Sequence, residues 1–211
     1  MPESKEATTS HPVLSRPPRL SGGKITPVVL RAFEIQIENY FLNAKEAIAE
    51  TDKVTRLLGC FEGPLVNQWI SQNRTRLRGL TFSAFITEFR KRWLPKTWEQ
   101  DFLRQIMRAR LDPRRSSFED WSTEVQIIND ALTGTTSFLT EDQMRRQLES
   151  NIDEDLRWLL RKGKVNAVTD FAEWLEAVSE IDHDRQIDLQ IERKQVADFI
   201  QEKTRAGTLV V

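Results

Sequence analysis

Bulky apolar residues recur at intervals of three and four along most of this 211-residue chain, which is the spacing of one face of an α-helix. The segment TFSAFITEFRKRWLP, residues 81–95, places four rings on that spacing, at Phe82, Phe85, Phe89 and Trp93. Only eight Gly and eight Pro are present, and four of the prolines lie within the first 18 residues, so few turns interrupt the pattern. Because strand-like alternation never persists, the sequence predicts an all-α protein.

The helical segments fall into two groups, which predict two small lobes at residues 27–95 and 98–181. Residues 1–26 contain four prolines and a Gly-Gly pair that break any periodicity, and this predicts a disordered N-terminal arm. Residues 182–211 are rich in charge and carry only a loose apolar stripe, which predicts a charged C-terminal helix.

Hydroxyl side chains mark several of the predicted helix starts. Thr26 can cap the first helix, with Pro27 at the first helical position, where its missing N–H costs nothing. Ser117 is placed to cap a later helix, and Thr140 with Gln143 forms a capping box for the next one.

The net charge of −1 conceals an asymmetry along the chain. Residues 72–115 hold twelve Lys/Arg against four Asp/Glu, a net +8, whereas residues 116–211 hold eleven against twenty, a net −9. This polarity is compatible with head-to-tail attraction between copies of the chain, or with a patch that faces an anion.

Residues suited to catalysis or metal binding are few. Cys60 is the only cysteine, so neither an intrachain disulfide nor a thiolate zinc cluster can form. His11 and His183 are isolated, and the acidic clusters DED (153–155) and DHD (182–184) are typical of a helix start and of a solvated helix. The sequence therefore predicts no enzyme, metal, cofactor or small-molecule substrate. No run approaches the ~20 apolar residues of a membrane span, so we expect no membrane partner and a cytoplasmic location.

Arginines provide the strongest candidates for binding chemistry: Arg74, Arg76, Arg78, Arg114 and Arg115. Such a set could neutralise the phosphates of RNA or DNA without reading their sequence. The alternative is that these arginines solvate helix faces and pair with acidic residues of neighbouring subunits. We favour the alternative, because the nearby aromatic residues have the spacing of a core and not that of a stacking platform.

Several segments follow one another in a specific order between about residues 28 and 182: FEIQIENYF, VTRLLGCFEGPLVNQWI, TFSAFITEFRKRWLP, FLRQIMRARLDPRRSSFEDWSTEVQII, LTEDQMRRQLESNIDEDLRWLL and DFAEWLEAVSEID. This series resembles the Gag capsid region of gypsy-type long-terminal-repeat retrotransposons and the domesticated Gag proteins derived from them. The resemblance implies an N-terminal and a C-terminal capsid-like lobe.

The fourth of these segments stands in the place of the family's capsid homology segment, and the resemblance implies that Phe118, Trp121 and Val125 form its core. Arg110 or a neighbour replaces the usual Gln, and the turn at residues 112–115 lacks the usual Gly. No zinc knuckle or protease follows residue 182, so we expect a truncated, captured or domesticated Gag.

The resemblance further implies a non-catalytic subunit that assembles with copies of itself into shells enclosing RNA. Two other readings stay open from the residues alone. One is a helical nucleic-acid-binding protein that acts without a shell, and the other is an adaptor that presents its charged C-terminal helix to a partner helix.

Overall fold

The structure is a computed structural model that describes residues 5–11, 13 and 16–208. In this part of the chain there are nine α-helices, one 3₁₀ turn (Val165–Ala167) and two strands. The strands are β1 (Thr9–Ser10) and β2 (Arg19–Leu20). The helices are α1 (Pro27–Leu42), α2 (Glu50–Leu57), α3 (Pro64–Arg78), α4 (Phe82–Trp93), α5 (Trp98–Arg108), α6 (Phe118–Ala131), α7 (Glu141–Asn151), α8 (Glu154–Lys162) and α9 (Phe171–Thr208). The predicted all-α class is confirmed.

The hydroxyl caps explain where the helices begin. Thr26 Oγ1 accepts a hydrogen bond from the N–H of Val29, and Pro27 opens α1 as predicted. At α7 the capping box is complete, because Thr140 and Gln143 each accept from the backbone N–H of the other.

The described part of residues 1–26 is folded, which corrects the predicted disordered arm; residues 1–4, 12, 14 and 15 lie outside the description. β1 pairs antiparallel with β2. Leu20 N–H then donates to Cys60 O at 2.8 Å, and Glu62 N–H donates to Leu20 O at 2.9 Å. The side chains of Ala7 and Leu20 are each only 1% exposed. Two-residue strands are too short to show alternation, so the pattern could not reveal them.

Gly23 belongs to the pair that predicts disorder, yet it has a specific place in the fold. Its φ is +148°, and a Cβ there would lie 2.5 Å from the carbonyl oxygen of Lys5. The neighbouring backbone pairs with the N-terminal segment, since Ala7 N–H donates to Lys24 O at 2.9 Å. The glycine therefore permits two backbone segments to approach closely.

The helices pack into two compact units. Of the described residues, those up to 103 together with 128–138 form the first unit, and 104–127 together with those from 139 onward form the second. This division differs from the predicted lobes at 27–95 and 98–181, because it falls inside α5 and returns residues 128–138 to the first unit.

One ion pair and one hydrogen bond join residues 128–138 to the rest of the first unit. Arg31 Nε lies 3.2 Å from Asp130 Oδ1, and Arg90 Nη1 donates to the carbonyl of Thr133 at 2.8 Å. Arg90 also donates to the buried carboxylate of Glu34, with Nε 2.9 Å from Oε1. Burial raises the pKa of Glu34 above its usual value, although the Arg90 guanidinium acts in the opposite direction.

Each unit has its own aromatic core. In the first unit, the ring of Phe61 stacks on Phe89 at 5.0 Å and meets Phe33 edge-on at 5.4 Å. In the second, the fully buried ring of Trp174 meets Phe118 edge-on at 5.8 Å. Most bulky rings at helical spacing therefore fill bundle interiors.

Helix α9 continues without a break through the predicted boundary at residue 182. Its first turns pack against α7 and α8, and Trp174 and Val178 are buried there. From residue 190 to residue 204 every side chain is exposed. Among the described residues, no helix combines the length and the apolar character needed to cross a membrane.

Candidate functional site

Arg74, Arg76 and Arg78 occupy the last turns of α3, but they are not equivalent. Both terminal nitrogens of Arg76 donate to the carboxylate of Glu88 on α4, at 2.6 and 2.7 Å. Hydrogen bonding to Arg76 correspondingly lowers the pKa of Glu88. Arg74 and Arg78 are exposed, and no carboxylate of the described residues pairs with either. Of the three α3 arginines, only Arg74 and Arg78 therefore present a guanidinium that no carboxylate of the described residues neutralises.

Arg114 and Arg115 lie in the second unit, in the turn between α5 and α6. Asp112 holds this turn, since its Oδ1 accepts the N–H of Arg114 at 3.0 Å. Its Oδ2 lies 3.3 Å from Arg115 Nε, although the Arg115 side chain remains 86% exposed. The five predicted arginines thus belong to two separately packed units, three on α3 and two on this turn.

Phe118, Trp121 and Val125 share the inward face of α6, and all three are buried. The rings of Phe118 and Trp121 lie 5.8 Å apart. These residues are structural members of the second unit's core, and their correspondence with a capsid homology segment stays a matter of resemblance.

The acidic clusters form a structural network that sequence reasoning missed in part. Asp153 caps α8 by accepting the N–H of Leu156 at 3.1 Å, as expected for a helix start. The prediction that Asp182 is solvated is wrong. Its side chain is 1% exposed and accepts the N–H of Phe118 at 2.7 Å. Arg185 joins the two carboxylates, donating to Asp182 at 2.9 Å and to Asp153 at 2.6 Å. The network connects α6, α8 and α9.

Burial of Asp153 raises its pKa, but hydrogen bonds from Arg185 and from the N–H of Leu156 outweigh that effect, so the net pKa is lowered. The carboxylate is therefore ionised at neutral pH and serves as a counterion. Within the described residues, no group of three or more His, Cys, Asp or Glu side chains is arranged to hold a metal ion.

Cys60 lies in the first unit, and its side chain is buried beside α2. Its Sγ is 3.5 Å from the carbonyl oxygen of Arg56. Burial raises the pKa of the thiol to about 11, with Arg19 acting weakly in the other direction. A thiol with this pKa is protonated at neutral pH and is a poor nucleophile.

A groove in the second unit brings apolar and charged side chains together. We call it the Trp158 groove; it has a volume of about 530 Å³ and is lined by the α5–α6 turn, α8 and α9 through Pro113, Arg114, Asp155, Trp158, Leu159, Arg185, Leu189 and Arg193. Trp158 is 56% exposed, and Lys162 Nζ lies 5.2 Å from the centre of its ring. Sequence reasoning did not single out Trp158, although its position between the inward Leu156 and Leu160 indicates an outward side chain.

A set of apolar side chains continues along the exposed end of α9. We call it the tail stripe and define it as Val196, Phe199 and Ile200, each close to 60% exposed. At 100° per residue these three lie on one side of the helix, together with Leu189 of the Trp158 groove. Contiguous exposed apolar side chains commonly mark a surface that meets another molecule.

No family model, curated protein or solved structure matches this chain. Its function is therefore inferred from its own residues and their geometry. In the described residues, two kinds of surface are suited to a partner. One is the pair of free guanidinium groups on α3, and the other is the Trp158 groove with the tail stripe.

Proposed function

We propose that this chain is a cytoplasmic, non-catalytic structural protein that assembles with copies of itself, as a Gag capsid-like subunit whose shells enclose RNA. The observation that carries the proposal is the tail stripe beside the Trp158 groove. Burial of apolar surface contributes about 25 cal/mol per Å², so association is favoured wherever such surfaces meet. Support also comes from the resemblance of the segments between about residues 28 and 182 to Gag capsids.

The titratable groups of the described residues favour a structural role. Arg185 pairs with both Asp153 and Asp182 within the second unit, and Cys60 is held as a buried thiol. These groups therefore stabilise the packing of the units, which is the role expected in a structural subunit. A subunit of a shell needs such rigid units, because its contacts are weak singly and add over many copies.

The RNA component of the proposal depends on cations that do not read bases. Arg74 and Arg78 are exposed on α3 without a carboxylate partner among the described residues. Guanidinium groups of this kind neutralise phosphates and release counterions, which gives affinity without sequence specificity.

The assembly is tested by light scattering coupled to size-exclusion chromatography, together with negative-stain electron microscopy. The purified full chain is examined over a wide range of protein concentration, with and without single-stranded RNA. We expect oligomers whose mass rises with concentration, and closed particles when RNA is present. A chain that stays monomeric under all these conditions contradicts the proposal.

A second candidate function is favoured by the free arginines alone: a Gag-derived helical protein that binds RNA or DNA without forming a shell. It predicts a monomer that binds single-stranded RNA with a steep salt dependence. The same chromatography distinguishes the two functions, because RNA would then elute with single copies of the chain.

A further inference from the structure

The Trp158 groove and the tail stripe share one face of α9. Leu189 and Arg193 line the groove, and Val196 and Ile200 follow at intervals of three and four, so all four residues point the same way. At 1.5 Å per residue, Val196 and Ile200 lie about 10 and 16 Å beyond Leu189. Since α9 is a continuous helix, the tail stripe cannot fold back into the groove of its own chain.

We propose that two copies of this chain dock reciprocally through α9, with the tail stripe of each copy lying in the Trp158 groove of the other. The helices run antiparallel about a two-fold axis, which places Ile200 of one copy opposite Leu189 of its partner. Val196 then lies near the crossing of the two helices. The proposal rests on the self-association proposed above and names its surface.

Self-complementarity favours a second copy over a foreign peptide as the occupant. The groove supplies the apolar walls of Trp158, Leu159 and Leu189. The stripe supplies exposed apolar side chains that project from one side of α9. A two-fold interface uses both surfaces twice, so no unpartnered groove or stripe is left over. Each tail then gains a covering for side chains that are otherwise close to 60% exposed.

One charge pair fits the same antiparallel direction, in a groove that Arg114, Arg185 and Arg193 also line. Asp155 lines the groove, and no cation of the described residues pairs with its carboxylate. Lys203 lies three residues after Ile200 on the side of α9 that carries the stripe, with its ammonium 5.6 Å from the Phe199 ring. Antiparallel docking carries Lys203 of one copy toward Asp155 of the other. Parallel docking would set each Lys203 beside its own equivalent, where the charges repel.

The first test replaces the knobs of the stripe. The double variant Phe199→Glu and Ile200→Glu of the full chain is compared with Ile187→Glu and Ile191→Glu, which place the same changes on the opposite side of α9, where both residues are also exposed. In sedimentation velocity, we expect the stripe variant to weaken dimer formation at least tenfold and the control to match the unchanged chain. Equal behaviour of the two variants overturns the proposal.

The groove is tested separately, through charge exchange. Asp155→Lys and Lys203→Glu should each weaken the dimer, and the chain carrying both changes should recover most of the lost affinity. Trp158→Glu should weaken the dimer without recovery. Because these three side chains are exposed or lie at the surface, circular dichroism is expected to show an unchanged helical fold. Failure of the double exchange to restore association contradicts the assigned contact.

The direction of the helices is tested by cysteine crosslinking in the Cys60→Ala background. Leu189→Cys with Ile200→Cys should give a covalent dimer on oxidation, whereas Ile200→Cys alone should not. Crosslinking of Ile200→Cys alone indicates parallel helices and overturns the proposal. If the unchanged chain is monomeric throughout, the proposed self-assembly fails as well; if it assembles while the stripe variant assembles equally, only this inference fails.

Discussion

At Asp182, one buried carboxylate joins the start of α6 to α9, and through Arg185 to the start of α8. Its removal leaves the N–H of Phe118 without an acceptor, and it leaves Arg185 with Asp153 as its remaining carboxylate partner. We expect Asp182→Ala to lower the free energy of unfolding by about 3–5 kcal/mol, the range typical of a broken buried pair. Asp184→Ala, an exposed carboxylate two residues later, is the matched control. Urea denaturation of both measures the difference, and similar midpoints would contradict the structural role of Asp182.

The pH dependence of stability should reflect Asp153. Its pKa in the folded chain is below the usual 3.8, because the hydrogen bonds and charge of its partners outweigh its burial. The unfolded chain therefore binds more protons in acid, and the stability that Asp153 contributes is present above pH 3.8 and is lost as the pH falls through the folded-state pKa. We expect Asp153→Asn to be less stable than the unchanged chain at neutral pH, with a shallower loss in acid. Thermal unfolding between neutral pH and pH 3 checks this, and parallel profiles would exclude it.

The two α3 arginines without a carboxylate partner, Arg74 and Arg78, lead to a prediction about RNA binding. Replacing Arg74 and Arg78 by Gln should weaken binding to single-stranded RNA and reduce the salt slope by about one for each phosphate contact removed. The control replaces Arg76 and Glu88 together by Gln, which removes a pair that neutralises itself and leaves the net charge unchanged. Fluorescence anisotropy over a series of salt concentrations measures both slopes. Equal slopes for the two variants would remove the α3 arginines from the interface.

At the scale of the element, the N-terminal hairpin is part of the first unit's packing and is not a free arm. Leu20 is almost fully buried, so Leu20→Ala should lower the free energy of unfolding by about 2–5 kcal/mol. Val13→Ala, at a side chain that is 48% exposed, should change it little. Chemical denaturation compares the two. If Leu20→Ala left the free energy of unfolding unchanged, the packing of Leu20 would contribute nothing to stability.

Helix starts were predictable because a cap is a local interaction. Thr26 and Thr140 each bond a backbone N–H three residues away, so the signal lies within four consecutive letters of the sequence. The hairpin was not predictable in this way, because β2 bonds to Cys60 and Glu62, about forty residues away. The same holds for Asp182, whose partner Phe118 is 64 residues distant.

At the scale of the whole molecule, the opposite charges of the middle and C-terminal parts of the sequence offer a different basis for association. Attraction between oppositely charged surfaces weakens with salt, because the screening length falls to about 3 Å at 1 M ionic strength. Contact through the apolar tail stripe persists. We therefore expect the chain to remain oligomeric at high salt while RNA binding is lost. Light scattering across a salt series checks this, and dissociation into monomers at high salt would favour the electrostatic alternative.

By itself, the sequence determined the helical class, several helix starts and the aromatic residues that fill the two cores, because helix periodicity and capping depend on neighbours within one or two turns. Only the tertiary structure decided which charges remain free. Arg76 meets Glu88 and Arg74 meets no carboxylate of the described residues, although the two arginines are alike in sequence. It also decided that Trp158 lies in a groove and that Asp182 is buried. Those outcomes depend on which distant side chains packing brings within bonding distance, and no local pattern records that.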